Sequence, residues 1–255
     1  MKAWRALTIA GGLLLLWQAL VSVTGVAAYI LPGPLLVGRV FLDNAKLQLL
    51  IAHAVVTGSE IALGLVLGCL LGCVSAVLVA SSPPVRRWLM PVLVVSQAIP
   101  VFALAPALVL WLGYGLLSKV AMATLIIYFP VTAAFFDGLR RTDPGWLDLA
   151  RTMGGSRWRI LRHVRIPAAL PALSSGIRVA TAVAPIGAIV GEWVGSSAGL
   201  GYLMLQSNAR LQIDVMFAAL LVLALMAVGL YFIVDAGLRR VLPWQAEDGG
   251  SRTEE

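Results

Sequence analysis

The sequence predicts an all-α membrane protein, a bundle of about six transmembrane helices. Of its 255 residues, 60% are hydrophobic and only 12% are charged, whereas soluble domains average about 45–50% and about 25%. Uncharged runs recur along the whole chain, and a bilayer core about 30 Å thick is crossed by a helix of about 20 apolar residues. This composition excludes an ordinary soluble domain. It also excludes disorder, because so apolar a chain has ample surface to bury.

Six runs with few or no charges are long enough to cross a bilayer. The first follows Lys2 and Arg5, as in a signal peptide, but it is longer than the apolar core of a cleavable signal and favours an uncleaved anchor. The fourth, between Lys119 and Asp137, is close to the shortest that a helix can use. Residues 1–255 are thus predicted to form one transmembrane domain. Its predicted spans are 7–31, 55–80, 88–113, 119–137, 170–194 and 215–236.

The distribution of Lys and Arg predicts that both termini are cytoplasmic. With the N-terminus inside, most basic residues fall in the inner loops, because an excess of Lys and Arg marks the cytoplasmic side. The net charge of +7 therefore indicates topology and contact with membrane lipid rather than binding of nucleic acid. The residues after 239 form a predicted cytoplasmic tail, 239–255. The outer loops contain Arg39, Lys46, Lys119 and Arg210.

Small residues and prolines predict how the spans pack. In lipid, helices associate where small residues let their backbones approach closely. The third span contains Pro100 between two further prolines, which predicts a broken helix beside a path rather than against lipid. Cys69 and Cys73 lie one helical turn apart, and packing is the interpretation, since no further metal ligand is near. Small residues recur every four positions at Gly64, Gly68, Gly72 and Ala76, and at Gly187, Gly191 and Gly195.

The polar segment 140–167 has the pattern of a folded element. Asp143 before a proline predicts an N-cap, and Gly154 predicts a left-handed C-terminal cap. Ser156 can cap a second, basic amphipathic helix, which Pro167 is expected to end at the membrane. Two helices joined by a glycine turn would form a rigid projection. Binding to anionic lipid remains an alternative use of its arginines.

The spacing of this segment resembles the EAA loop of the membrane subunits of bacterial binding-protein-dependent ABC importers. The match consists of an acidic residue, a small pair, a glycine and an aliphatic-proline pair, and the wider resemblance covers about residues 30–241. Leu149 stands where the family usually has Ala, and Asp148 where it usually has Glu; neither change removes the charge or the helix. The matching positions are Asp148, Leu149, Ala150, Gly154, Val164, Ile166 and Pro167, with the turn 199–203 after the fifth span.

This resemblance implies a type I importer permease fold in a bacterial inner membrane. The loop around 150–154 would be the coupling helix that docks on a dimer of separate ATPase subunits. The chain's three lysines lie outside any G-x-x-x-x-G-K-[ST] loop, so no enzyme activity is predicted and ATP and Mg²⁺ would bind the partner. The other implied partners are an extracytoplasmic solute-binding protein and a second permease copy, with a homodimer preferred. The implied coupling residues are Asp148, Leu149, Ala150, Arg151, Gly154, Ile166 and Pro167.

Polar and aromatic residues within the spans are candidates for contact with solute, because leaving an ionised side chain to lipid costs about 2.5–3.5 kcal/mol. Glu60 is expected at an interface, and Arg178 is expected to reach the interface or to cap a carbonyl. His53 and His163 are expected to be solvated. No catalytic residues are predicted. The predicted path residues are Gln97, Pro100, Tyr128, Glu192 and Trp193.

The solute class is narrowed by two segments, 96–106 and 191–201. They resemble the branch that serves sulfonates, nitrate, taurine and pyrimidine precursors of thiamine, and most of all the hydroxymethylpyrimidine permeases. A neutral aromatic solute fits these residues, and a sulfonate, taurine or nitrate remains the alternative. A standalone secondary transporter would be expected to show paired broken helices in two halves. An intramembrane enzyme would need a catalytic motif that the sequence lacks.

Overall fold

The fold is all-α, as predicted. The computed structural model describes residues 3–243, which are helical except for short connections and contain no strand. Of the predicted tail 239–255, residues 244–255 lie outside the described part. In chain order the helices are α1 (Ala3–Thr24), α2 (Pro34–Val40), α3 (Asn44–Ser81), α4 (Pro83–Ala98), α5 (Val101–Leu112), α6 (Leu116–Arg140), α7 (Pro144–Thr152), α8 (Arg157–Ile160), α9 (Ile166–Gly195), α10 (Leu200–Ala209) and α11 (Ile213–Val241).

Helix length and hydropathy give a count of candidate spans among the described residues. Four helices are long and apolar enough to cross a membrane: α3, α6, the continuous stretch from α8 through α9, and α11. The bent pair α4 and α5 can count as a fifth. The first predicted span, 7–31, ends earlier than expected, because α1 has 22 residues and ends at Thr24.

Charged residues proved to be poor markers of helix ends. α3 has 38 residues, about 57 Å of helix, so it begins well before the predicted boundary at 55 and carries Glu60 in its interior. The predicted fourth span, 119–137, is wrong in length because α6 has 25 residues and includes both Lys119 and Asp137. A buried charge can remain inside a helix when an opposite charge lies beside it. The lengths of uncharged runs in the sequence do not show whether such a partner is present.

α6 is the central helix, packed between α3 and α9. A Cβ atom added to Gly64 would lie 2.5 Å from the Cβ of Ala123, and one added to Gly68 would lie 2.5 Å from Cγ2 of Ile127. On the other side, a Cβ on Gly187 would lie 2.6 Å from the Cα of Ala123. These distances are shorter than a real side chain allows. Both predicted rows of small residues are therefore confirmed as packing faces.

The prolines of the third span break it where the sequence predicted. α4 and α5 meet at an angle of 104°, and Pro100 is the residue that precedes α5. The other two prolines lie inside the helices, Pro91 in α4 and Pro106 in α5. The break follows from Pro100, because a residue before proline avoids the helical conformation.

A partly buried ion pair joins α9 to α11. The Nε of Arg178 lies 2.6 Å from Oδ1 of Asp235, whose Oδ2 lies 2.9 Å from Nε of Arg239. The expected carbonyl cap is therefore replaced by pairing with a carboxylate, and the expectation that Arg178 reaches the interface stays a prediction. Its guanidinium is neutralised across the helix pair instead, which avoids the cost of an unpaired charge inside the bundle.

Candidate functional sites

Glu192 is the centre of a hydrogen-bond network at the end of the bundle that carries α10. Its side chain is buried in the last turn of α9. Oε1 accepts a hydrogen bond from the hydroxyl of Thr57 at 2.6 Å, and Oε2 accepts from the backbone N–H groups of Gly201 at 2.5 Å and Tyr202 at 3.3 Å. Those N–H groups belong to the first turn of α10, which a carboxylate stabilises. Glu192 therefore joins α3, α9 and α10.

The turn between α9 and α10 is also held by α3. The backbone N–H of Gly199 donates to Nδ1 of His53 at 2.9 Å, and that of Leu200 donates to Oγ1 of Thr57 at 2.7 Å. The ring of His53 stacks on Tyr202 with centroids 6.0 Å apart. The expectation that His53 is solvated is therefore wrong, since its ring is half-buried and accepts a backbone hydrogen bond.

Two glycines make this approach possible. Gly199 has a φ of +109°, and a Cβ there would overlap the carboxylate of Glu192. A Cβ on Gly201 would lie 2.9 Å from Oε2 of Glu192. Glycine at positions 199 and 201 thus has a physical reason. The carboxylate of Glu192 can reach the N-terminus of α10 because no side chain stands in its way at these two positions.

Glu60 and Lys119 form a buried ion pair next to this network. Glu60 is fully buried, and Nζ of Lys119 lies 3.9 Å from its Oε1. The same ammonium donates to the backbone carbonyl of Tyr114 at 3.3 Å, and Glu192 lies within electrostatic range of Glu60. The expectation of an interfacial Glu60 is wrong, because α3 extends far beyond it. Sequence reasoning missed Thr57 and Lys119 as members of this cluster; their positions on other helices gave no local signal.

Removing the cation should expose the cost of burying two carboxylates together. We expect Lys119→Met to lower the free energy of unfolding by about 3 kcal/mol, because breaking a buried ion pair leaves an uncompensated charge. Glu60→Gln in the same chain should restore most of that loss, since no charge then needs the ammonium. Thermal unfolding of the purified single and double variants measures both effects. A double variant no more stable than Lys119→Met would contradict the pairing.

An aromatic cavity of about 340 Å³ lies beside the network. Trp193 and Tyr114 are largely exposed at its rim, with exposures of 53% and 76%. Tyr202 and Gln206 line it from α10, and Glu192 contributes part of its wall. None of the described residues that line it is Arg or Lys. Flat aromatic faces with one amide favour an uncharged ring compound over an anion.

The other predicted path residues do not line this cavity. Pro100 lies at the break between α4 and α5. Tyr128 lies about 14 Å along α6 from Lys119, and its hydroxyl donates to Oγ of Ser75 at 2.8 Å. Gln97 lies in α4, and its side chain is outside the described part of the structure. Of the five predicted path residues, Glu192 and Trp193 lie together at this cavity.

The segment at the opposite end of the bundle is folded as the sequence predicted. Oδ1 of Asp143 accepts from the N–H of Gly145 at 2.7 Å and caps α7. Gly154 has a φ of +74°, and its N–H donates to the carbonyl of Arg151 at 2.9 Å. Ser156 caps α8 by accepting from the N–H of Arg159 at 3.3 Å. These caps turn the chain sharply between α7 and α8.

One prediction about this segment is wrong. Pro167 does not end the second helix, because α8 continues through a π-helical turn, Leu161–Arg165, into α9. The N–H of Ile166 bonds to the carbonyl of Leu161, five residues back. Such a widened turn gives room for a proline ring that an ordinary helix would exclude. α8 and α9 therefore form one continuous rod.

α7 presents exposed apolar side chains beside an exposed ion pair. Leu149 is 61% exposed and Met153 is 78% exposed. They line a cavity of about 590 Å³ together with Trp146, Ala150 and Pro167. Asp148 and Arg151 form an exposed ion pair at 2.7 Å on the same helix, while Ile166 packs on a buried cluster. A contiguous exposed apolar patch is typical of a surface that binds another protein.

Residues 140–167, called the α7 segment below, are attached to the end of α6 by Arg165. The guanidinium of Arg165 donates twice to the carbonyl of Leu139, from Nε at 3.1 Å and from a terminal nitrogen at 2.8 Å. A bidentate contact of this kind fixes orientation as well as distance. Movement of the segment would therefore be passed to α6 as well as to α9.

Comparison with known proteins identifies the family. Residues 64–246 match the family described as binding-protein-dependent transport system inner membrane component. The chain belongs to this family. It is 54% identical over 238 residues to a probable ABC transporter permease protein of Haemophilus influenzae, covering 93% of this chain and 96% of that protein. The protein is accordingly a multi-pass inner-membrane permease subunit of an ABC importer, which is a non-enzymatic membrane component.

Relatives of the permease differ in their named solutes. The riboflavin transport system permease protein RibX of Chloroflexus aurantiacus is 37% identical, covering 95% of this chain and 92% of its own. The formylaminopyrimidine transport permease protein ThiX of Halalkalibacterium halodurans is 34% identical, covering 91% and 92%. Permeases named for aliphatic sulfonates in Bacillus subtilis and for taurine in Escherichia coli are each 28% identical, over 94% and 92% of this chain and 87% of each relative.

A solved structure supports the fold of the permease. The inward-facing MetNI methionine ABC transporter matches with a TM-score of 0.68 at 21% identity, covering 78% of this chain and 99% of the solved chain. At this identity the likeness shows the fold alone. The predicted type I importer permease fold is confirmed.

Proposed function

We propose that this permease imports a small, uncharged heteroaromatic solute, with a pyrimidine precursor of thiamine such as hydroxymethylpyrimidine as the best candidate. The observation that carries the proposal is the cavity lined by Tyr114, Trp193, Tyr202 and Gln206, without Arg or Lys among its described lining residues. Aromatic faces stack on planar rings, and an amide can bond ring nitrogens. The relatives named for formylaminopyrimidine and riboflavin, both ring compounds, support the same class.

The carboxylate of Glu192 does not turn this cavity into a cation site. Both of its oxygens already accept hydrogen bonds, from Thr57 and from the start of α10. A ligand would therefore meet the carboxylate as part of the wall, and Trp193 and Tyr114 as its stacking surfaces. Glu192 is assigned a positioning role, and Trp193 a contact role.

Coupling to ATP belongs to the opposite end of the molecule. In this proposal α7 and its glycine turn lie in the cytoplasm and dock on a dimer of separate ATPase subunits, which bind ATP and Mg²⁺. The exposed apolar side chains of Leu149 and Met153 support such docking. Both termini are then cytoplasmic, two permease copies enclose the path, and a solute-binding protein delivers solute to the α10 end.

A sulfonate, taurine or nitrate is the second candidate solute. The sulfonate and taurine permeases among the relatives favour it, although their identity of 28% is lower than that of the ring-compound permeases. An anion of this kind would be expected to meet arginine or lysine or a free helix N-terminus. The N-terminus of α10 is occupied by Glu192 and is therefore closed to an anion.

The test is solute-stimulated ATP hydrolysis by the permease assembled with its ATPase and binding protein in proteoliposomes. We expect hydroxymethylpyrimidine and formylaminopyrimidine to stimulate hydrolysis and uptake, and taurine and alkanesulfonates to have no effect. Trp193→Ala should raise the apparent KM about three- to tenfold through lost stacking. Trp111→Ala removes an aromatic ring that is 74% exposed outside the cavity and serves as the matched control. Stimulation by taurine alone would refute the proposal.

A further inference from the structure

A second cavity, of about 520 Å³, lies at the α7 end of the bundle and is strongly basic. It is formed where α3 ends, α4 begins and α6 ends. Four arginines line it: Arg86 and Arg87 from α4, Arg140 from α6 and Arg165 from the π-helical turn. No carboxylate is among its described lining residues. Four like charges around one space repel each other, and an anion bound between them would offset that repulsion.

Two of these guanidinium groups are held in place before any ligand binds. Arg165 is fixed by its two hydrogen bonds to the carbonyl of Leu139. Arg86 lies over the ring of Phe136, with 5.5 Å from its guanidinium carbon to the ring centroid, which is a cation–π contact. A binding group whose side chains are already ordered loses less entropy when a ligand arrives.

The positive charge of the cavity is not neutralised within the described part of the chain. The ion pairs of the structure involve other residues, and none of the four arginines lies within 4.0 Å of a described carboxylate. Arg86, Arg87 and Arg140 are exposed, so their free N–H groups can turn toward a bound anion. Arginine forms planar, bidentate hydrogen bonds that match the oxygens of a phosphate group.

The remaining wall of the cavity is apolar. Val79, Met90 and Phe136 line it, with Pro83 and Pro91. A soluble phosphate would have no use for such a wall, whereas a phospholipid has both a phosphate and an apolar body. The cavity also lies at the ends of membrane-crossing helices, where headgroup phosphates are found.

We propose that this cavity is a binding site for an anionic phospholipid, with the headgroup phosphate between Arg86, Arg87, Arg140 and Arg165 and the glycerol and first acyl carbons against Met90 and Phe136. The bound lipid would fill the space between the ends of α3, α4 and α6. Its phosphate would thereby offset the charge of the four arginines. One of them, Arg165, belongs to the π-helical turn that follows α8 and so links the cavity to the α7 end of the bundle. The proposal is independent of the identity of the solute.

The experiment measures binding of a short-chain lipid to the purified full-length permease by native mass spectrometry. We expect dioctanoyl phosphatidylglycerol to bind once per chain and about tenfold or more tightly than dioctanoyl phosphatidylcholine. The double variant Arg86→Gln/Arg87→Gln should lose this preference, because half of the guanidinium groups are gone. The double variant Arg157→Gln/Arg162→Gln removes the same charge outside the cavity and should bind like the parent.

Several results would overturn the proposal. Equal losses in the two double variants would mean general attraction to a basic surface rather than a site. Displacement of the lipid by an excess of inorganic phosphate would mean that the anion alone is recognised. Complete release of the lipid when the ATPase assembles would mean that an acidic protein surface occupies the cavity. The supporting result is retention of one phosphatidylglycerol per chain in Arg157→Gln/Arg162→Gln, in excess inorganic phosphate and after assembly with the ATPase. The same lipid should be lost in Arg86→Gln/Arg87→Gln.

Discussion

Replacing Glu192 with alanine is expected to lower the free energy of unfolding by about 4 kcal/mol and to abolish solute uptake. The carboxylate is buried and accepts hydrogen bonds from the hydroxyl of Thr57 and from two N–H groups of α10. Alanine would leave the two N–H groups of α10 without this acceptor, whereas Thr57 could still donate to the carbonyl of His53 at 3.2 Å; each buried unsatisfied donor costs about 1–3 kcal/mol. The turn between α9 and α10 would then lose its attachment to α3. Thermal unfolding and uptake in proteoliposomes measure the two effects.

Two control variants separate this network from a general effect of lost charge. Asp214→Ala removes a carboxylate at the same end of the molecule, where it pairs with Lys46 at 3.0 Å on the surface; such exposed pairs contribute about 0–1 kcal/mol. Glu192→Gln keeps one oxygen acceptor and should fall between alanine and the parent. If Glu192→Ala melts at the same temperature as Asp214→Ala, the network does not stabilise the turn.

Local features of the sequence were enough to predict the helix caps around α7 and α8. A cap depends on residues a few positions apart, so Asp143, Gly154 and Ser156 could be assigned without knowledge of the fold. The packing role of the two rows of small residues could be predicted in the same way, because residues four positions apart lie on one face of a helix. What the sequence did not show was the partner of each row, which is α6 for most of both rows and Val109 of α5 at Gly195.

The cluster around Glu192 could be predicted only in part. Glu192 itself was recognisable as a charge near the end of a span. Its partner Thr57, and His53, which accepts from Gly199, lie on α3 and have no distinguishing sequence neighbours. The charge of Lys119 predicts a helix boundary, whereas the residue lies inside α6. Once Glu60 lies beside it, the same lysine is compatible with the interior of the bundle.

The structure connects its two functional ends through a pair of helices with little freedom to slide. α6 and α9 contact each other closely near both ends: a Cβ on Gly191 would lie 3.1 Å from the Cα of Lys119, and one on Gly138 would lie 2.7 Å from the Cβ of Ala172. Close packing of this kind resists compression. We infer that a displacement of the α7 segment moves α6 and α9 together and so reaches the turn held by Glu192.

Replacing Gly154 with valine is therefore expected to separate ATP hydrolysis from uptake. The φ of +74° at Gly154 is strained for a β-branched residue by about 1–2 kcal/mol, although no atom lies within 4 Å of the added Cβ. The strain thus acts on the backbone turn alone and should displace α7 relative to α8. We expect at least a tenfold fall in uptake, with normal membrane insertion and normal basal ATP hydrolysis by the assembled transporter.

Two control variants test whether the effect is specific to valine and specific to position 154. Gly154→Asn should retain most uptake, because asparagine adopts the left-handed conformation more readily than valine. Gly25→Val imposes a comparable backbone strain, at a φ of +59° and also without neighbours within 4 Å, in the connection between α1 and α2. It should leave coupling intact, because that connection lies outside the family-matched residues 64–246. Full uptake by Gly154→Val, or an equal loss in Gly25→Val, would show that the glycine turn does not transmit the motion of the ATPase.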